Sequence, residues 1–367
     1  MEERLEAAGG ELLAHVRNGV ATVTLNRPAA LNALTFGMIQ GLAAWLEAWV
    51  KDERVKVIVL RGAGEKAFCA GGDVRALYEG WKAGRTDLLD FFITEYALDF
   101  RIHTFPKPVV AVMDGIVIGG GMGLAQGASL RIATDKTKMA MPETTIGLFP
   151  DVGGSWFLSR SPGHVGTYLG LVGNTIRAAD ALYAKLADVY LPPESLGRLD
   201  EVLTNDVATA SYPRGALDAV KAKLGAEPKE PGELPGLRKA IDMIFGMPSP
   251  AAIAEALTTT DFGVGDWPER TRAALAKRSP TMLAVTQEQL HRGRQSSLAE
   301  VFRTELGMVA TALEYGDFME GVRALLVDKD NAPRWRVASV DAVPEADVAK
   351  FFARRWSDAA HPLAHLK

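Results

Sequence analysis

PVVAVMDGIVIGGGMGLAQGASL, residues 108–130, is the most apolar window of this 367-residue chain and is nearly as long as a membrane span. Asp114 near its middle and its many glycines argue against a span. The window reads instead as strand, glycine turn and helix, and that reading extends to its surroundings. ELLAHVR, GVATVTLN, VKVIVLRG, PVVAVMDG and SLRIATD are short runs rich in Val, Ile, Leu and Thr, bounded by Gly, Pro, Asn or Asp, so they are predicted strands. From Thr35 to Asp52, the residues Phe36, Ile39, Leu42, Leu46 and Val50 trace a helical stripe between two of them. This alternation, an α/β pattern, runs to about residue 190.

Beyond that point the β signal fades. GAEPKEPGELPG, residues 225–236, reads as a loop. Ser279-Pro280 predicts a helix N-cap followed by proline at the first helical position, with Gly293 as a stop. Ser297 and Glu300 have the spacing of a capping box, and Leu298, Phe302, Leu306, Val309 and Leu313 form the expected buried stripe of the helix that follows. The chain is expected to divide into an α/β part, residues 1–210, and a mainly helical part, residues 211–367. Neither an internal repeat nor a low-complexity tract is visible.

At 48% hydrophobic content the chain can bury a sizeable core. Its 41 basic and 45 acidic residues leave a net charge of -4 with no long like-charge block, which points away from nucleic-acid and membrane partners. Cys69 is the single cysteine, so an internal disulfide is excluded, a small core residue is expected, and a reducing, cytoplasmic location follows as the expectation. The six histidines fall in no HExxH or Cys/His ligand spacing, so no metal is expected. The opening MEERLEAAGG is acidic and lacks an apolar stretch, and reads as neither a secretory signal nor a basic transit peptide.

Two glycine turns follow predicted strands: FCAGGD, residues 68–73, and IGGGMG, residues 118–123. Glycines there expose backbone N–H groups and admit close approach, either of the turn to its sheet or of a ligand to the turn. A dinucleotide fingerprint fails, because after Gly119 and Gly121 its third glycine would fall on Leu124. Two turns could each direct one N–H at a single oxygen, forming an oxyanion hole. Downstream, AMPETTIGLFPDVGG, residues 140–154, sets Glu143 and Asp151 eight residues apart, each directly after a proline. On these residues alone, either acid could decorate a solvated turn or belong to a site.

FCAGGD, GIVIGGGMGLA and MPETTIGLFPDVGG, in this order and spacing, resemble the signature segments of the crotonase (enoyl-CoA hydratase/isomerase) superfamily, and LNRPAALNAL resembles its N-terminal motif. The resemblance implies a spiral of ββα units followed by a mainly helical C-terminal region, with acyl-CoA thioesters as ligands. A typical hydratase of the family carries one glutamate three residues after the middle glycine of GGG and another in the PE segment. Here the first position is Gly123, and only Glu143 remains. Asp151 stands where many hydratases have glycine.

AMPETTIGLFPDVGGSWFLSR, TEYAL, KRSPTMLAVTQEQL, SLAEVF and DFMEGVRALLVDKDNAPRW extend the likeness specifically to the 3-hydroxyisobutyryl-CoA hydrolase branch. That branch implies hydrolysis of 3-hydroxyisobutyryl-CoA to 3-hydroxyisobutyrate and CoA, a step in valine catabolism, with CoA part of the substrate and no separate cofactor. The implied site has the Gly72 and Gly120 amides as oxyanion donors, with Gly71 as an alternative to Gly72. Glu143 is the nucleophile or general base, Asp151 orients the substrate hydroxyl and handles a proton, and Glu95 binds the hydroxyl. Arg27, Arg75 and Lys329 could meet CoA phosphates. A hydratase or isomerase and a non-catalytic acyl-CoA binder are the competing readings. Family members associate as trimers or trimer pairs, so a homo-oligomer is admitted, although the longer helical tail could cover that surface.

Overall fold

The computed structural model describes residues 2–209, 214–259 and 263–367. The chain divides into two compact units. One comprises Met1–Gly72, Leu98–Met139 and Thr175–Gly232, and the other Asp73–Ala97, Ala140–Asn174 and Glu233–Lys367. The expected boundary at 210/211 lies outside the described residues.

The first unit is built on a seven-stranded sheet in the order β1-β2-β3-β4-β6-β8-β10. Its strands are β1 (Glu2–Ala7), β2 (Leu12–Arg17), β3 (Val20–Leu25), β4 (Val57–Gly62), β6 (Val109–Met113), β8 (Leu130–Ala133) and β10 (Val189–Tyr190). MEERLEAAGG therefore supplies an edge strand, paired antiparallel with β2. Asn18 and Gly19, both at positive φ, make the two-residue hairpin between β2 and β3. From β3 onward all pairs are parallel. Parallel strands are covered on both faces, and accordingly Val57, Ile58, Val59 and Leu60 are buried in succession. Val59, Val110, Ile132 and their neighbours pack with Leu203, Leu217 and Val220 of the helices Leu199–Thr209 and Arg214–Leu224 in one core.

A second sheet, in the order β5-β7-β9, is made of β5 (Ala67–Cys69), β7 (Ile116–Ile118) and β9 (Lys138–Ala140). Along the chain, β4, β5 and the helix Val74–Lys82 are followed by β6, β7 and the helix Gly120–Gln126, and then by β8 and β9. This is the expected spiral of ββα units: each turn contributes one strand to the large sheet and one to the small. Asn32 of LNRPAALNAL pins the start of the small sheet, its buried amide donating to Ala63 O and Ala67 O at 2.9 and 2.8 Å. The window 108–130 forms β6, β7 and the helix Gly120–Gln126, and among the described residues no helix is long and apolar enough to cross a membrane.

The second unit is helical from Leu234 onward. Ser279 caps the helix Pro280–Gly293, accepting from Met282 N at 3.2 Å. That helix ends at Gly293, where close packing requires a glycine: a Cβ there would lie 2.3 Å from Ser155 O. The capping box at Ser297 and Glu300 is complete and opens the helix Leu298–Tyr315. Phe302, Leu306 and Val309 are fully buried as expected, whereas Leu298 and Leu313 are half-buried and Glu305 shares the buried face. In the first unit, the helix Phe36–Lys51 likewise buries Ile39, Leu42 and Leu46, but Trp49 completes its stripe in place of Val50, and Phe36 is exposed.

Candidate active site

In the first unit, β5 and β7 run parallel side by side, so the turns that follow them are neighbours. Gly71 has φ 100°, and a Cβ on it would lie 3.1 Å from Ile118 O and 3.4 Å from Gly120 N. A Cβ on Gly121 would stand 2.3 Å from Cys69 O. The glycines thus let two backbones touch, as close packing requires, and the same contact brings the Gly72 and Gly120 segments together.

The amides in these turns are used unequally. Gly71 N–H donates to Cys69 Sγ at 3.4 Å, and Gly71 O accepts from Leu34 N at 2.8 Å. Gly72 N–H and Gly120 N–H have no acceptor among the described residues. For Gly120 the cause is its position as first residue of a helix, where amides lack an intrahelical partner. Cys69 is fully buried, as its small-core reading anticipates, and its sulfur also occupies the Gly71 amide.

In the second unit, three separated segments bring carboxyl groups together. The helix Leu88–His103 carries Glu95, 3% exposed, and Tyr96, fully buried. Glu143 opens the short 3-10 turn Glu143–Ile146 after Pro142. Asp151 lies on the loop beyond it, and both of these acids are 5% exposed, which removes the solvated-turn reading of the sequence.

The turn carrying Glu143 is held from several sides. Thr144 Oγ1 donates to Leu171 O at 3.1 Å, and Ser279 N donates to Thr144 O at 3.0 Å. Gly147, at φ 71°, and Gly321 let the turn rest directly on the helix Asp317–Val322, since Cβ atoms there would meet Asp317 O at 2.1 Å and Ile146 C at 2.3 Å.

Burial governs the electrostatics. Desolvation lifts Glu143 well above the ordinary glutamate range, and the charges of Asp151 and Glu305 lift it further. The apolar Leu148 and Phe149 beside it are themselves buried. Glu95 is raised by burial and by Asp151. Asp151 is raised by burial to about 6, against the opposing pull of Tyr96, whose hydroxyl donates to Asp151 Oδ2 at 2.6 Å. Glu95 Oε1 and Glu143 Oε2 are buried without a hydrogen-bond partner. Such orphaned oxygens are costly unless something else approaches them, which marks this cluster as a place for a polar ligand.

Sequence reasoning missed three members of the cluster. Tyr96 follows Glu95 directly, but its role depends on Asp151, 55 residues away. Glu305, fully buried and raised by burial to about 7, accepts from Gly153 N, Ser155 N and Ser155 Oγ at 2.8, 2.9 and 2.6 Å. Gln289 donates to Pro150 O at 2.6 Å and to Ser155 Oγ at 2.8 Å. The available signal was the helical stripe itself: Glu305 falls on the face of Phe302 and Val309. Of the candidate phosphate-binding cations, Arg75 and Lys329 are exposed, whereas Arg27 is bound to Glu11 at 3.0 Å and donates to Ala33 O at 2.7 Å.

Comparison with known proteins adds context to this geometry. Residues 20–352 match the family described as Enoyl-CoA hydratase/isomerase. The chain is 40% identical over 348 residues to the 3-hydroxyisobutyryl-CoA hydrolase, mitochondrial, of Danio rerio, covering 94% of this chain and 90% of that protein. It is 42% identical over 340 residues to the small ribosomal subunit protein mS47 of Neurospora crassa, covering 88% and 67% respectively. Among solved structures, a carnitinyl-CoA dehydratase from Mycobacterium thermoresistibile matches with a TM-score of 0.84 at 40% identity, over 94% of this chain and 96% of that one. The relatives named as 3-hydroxyisobutyryl-CoA hydrolases are designated mitochondrial, which overturns the cytoplasmic expectation. A lone buried thiol bears on redox poise and does not separate one reducing compartment from another. Motif order, the ββα spiral and a match along most of its length agree: this chain belongs to the enoyl-CoA hydratase/isomerase family.

Proposed function

We propose that this protein hydrolyses an acyl-CoA thioester, 3-hydroxyisobutyryl-CoA, to 3-hydroxyisobutyrate and CoA. The observation that carries the reading is the convergence of Glu95, Glu143 and Asp151 from three segments into one buried cluster. The 40% identity to a hydrolase of that name over nearly the full length of both chains supports the choice of substrate. Coenzyme A enters as part of the substrate, so the reaction needs no separate cofactor.

In this reading the Gly72 and Gly120 amides receive the thioester oxygen as negative charge develops on it. The engagement of Gly71 N–H by Cys69 Sγ supports Gly72 as the donor of its turn. Losing one such donor typically removes roughly 2.7 to 4 kcal/mol of transition-state stabilisation. Glu143 acts as general base: it takes a proton from water, whose oxygen bonds to the carbonyl carbon, and the C–S bond then breaks with the thiolate taking up a proton. Direct attack by Glu143 would call for a carboxylate of low pKa, and burial pushes this one the other way. Glu95 and Asp151 bind the 3-hydroxyl, with Asp151 also handling the proton passed to the leaving thiolate.

Release of free thiol from 3-hydroxyisobutyryl-CoA tests the reading directly. Two other activities would replace it. The likeness to a carnitinyl-CoA dehydratase favours chemistry at a carbon–carbon double bond, but Gly123 provides no carboxyl where hydratases carry their second glutamate. Loss of enoyl absorbance from crotonyl-CoA without thiol release would establish that alternative. The likeness to a ribosomal subunit protein favours a non-catalytic chain, for which CoA binding without turnover of either substrate would be the result.

A further inference from the structure

Asp151 sits where the backbone takes an uncommon shape. Val152, next to it, is buried and β-branched yet has φ 52°, and Gly153 has φ 86°. A β-branched residue with positive φ persists only where its surroundings determine it. Here they grip the loop on both sides of the aspartate. Gln289 Nε2 holds Pro150 O, the carbonyl just before Asp151. Glu305 gathers the Gly153 amide on one oxygen and the Ser155 amide and hydroxyl on the other. One turn earlier on the same helix, Phe302 lies under Gly153, where a Cβ would meet its ring at 3.1 Å, and packs against Tyr96 with ring centroids 5.9 Å apart.

We propose that Glu305 is a positioning residue: by accepting from both amides and the hydroxyl, it fixes the turn that aims Asp151 at Tyr96 and at substrate. The inference rests on the hydrolase reading given above. A carboxylate suits the task because it is acceptor-only with two oxygens, whereas glutamine offers one acceptor and would set an N–H donor against another. Glu305 lies buried beside Asp151, Glu143 and Tyr96, and Glu95 in turn is near Asp151; these are the titratable groups that face the cluster. The neighbouring helix Pro280–Gly293 adds only the uncharged Gln289.

The test compares Glu305→Gln, Asp151→Asn and their combination. With 3-hydroxyisobutyryl-CoA, Glu305→Gln is expected to lower kcat/KM roughly a hundredfold, the scale of a misplaced reacting group. The loss is expected to be much smaller with isobutyryl-CoA, and the double variant to lose no more than Asp151→Asn alone. Equal losses on both thioesters, or full additivity, would overturn the proposal. A crystal structure of Glu305→Gln decides independently of turnover: Asp151 should leave the Tyr96 hydroxyl, and an unchanged 2.6 Å contact contradicts the proposed role. That arm holds even if the unaltered chain releases no thiol, a result that sinks the hydrolase reading itself. Should Glu305→Gln not fold, Gln289→Leu severs the grip at Pro150, with the same substrate-selective loss expected and an equal loss counting against the proposal.

Discussion

At the scale of single residues, the proposed chemistry turns on carboxyl groups removed from water. Glu143 is raised by burial first and by Asp151 second, so as a general base it becomes competent only as pH rises through a value above the usual glutamate range. The expected kcat/KM profile for thiol release therefore climbs with pH across a limb displaced upward, and a profile flat from pH 5 to 8 contradicts the assignment. Tyr96 works in the opposite sense, because its hydroxyl stabilises the ionised form of Asp151. Tyr96→Phe should move the Asp151 titration above about 6, read by carboxyl NMR, and a downward movement would reverse the proposed role. The same variant leaves a buried carboxyl oxygen without its donor, which typically costs about 1–3 kcal/mol of stability. Glu143 and Asp151 were legible from the sequence because a short signature spans both. Tyr96, Gln289 and Glu305 were not, since each is defined by a partner at least 16 residues away; the helical stripe of Phe302 and Val309 marks Glu305 as buried but does not name what it binds.

Among the elements, the two glycine turns depend on the parallel pairing of β5 with β7. Gly121→Ala would drive a Cβ to 2.3 Å from the Cys69 carbonyl, a collision with backbone that no rotamer change relieves. We expect it to destabilise the first unit by on the order of 1–3 kcal/mol in denaturant melts and to abolish thiol release, and wild-type stability and turnover would show that the turns do not touch. The parallel strands β4 and β6 were readable as valine-rich runs because burial on both faces leaves no polar alternation. The strands β5, β7 and β9 are three residues each, too short for periodicity to show. The acid-rich strand β1 was hidden for another reason: at the sheet edge its side chains alternate between exposed and half-buried, so Glu2–Ala7 carries little apolar pattern. Helix starts were clearer, since the Ser297 and Glu300 pairing is a local bond pattern that sequence spacing encodes.

For the whole molecule, the buried acids make stability a function of pH. Asp151 and Glu305 have folded-state values of about 6 and 7, above ordinary carboxylates, and Glu95 and Glu143 are also raised. Between its unfolded and folded values each holds a proton in the native state that the unfolded chain has released, so stability present at low pH is lost as pH rises through the folded values. His103 acts against them at lower pH: burial depresses it from 6.5 to about 4, which adds stability as pH rises between those values. His164 and His361, also depressed by burial, act in the same direction as His103, and this opposition fades as pH rises above 6.5, leaving the raised carboxyls dominant. Tm should then fall between pH 6.5 and 8 by on the order of 5 °C, less so in Glu143→Gln, and a rise over that interval contradicts the burial described. The most direct test of the central claim is thiol release from 3-hydroxyisobutyryl-CoA by the unaltered protein and by Glu143→Gln at equal CoA affinity. Turnover is expected in the first and a loss of several orders of magnitude in the second, and near-normal release by the variant would contradict the role of Glu143.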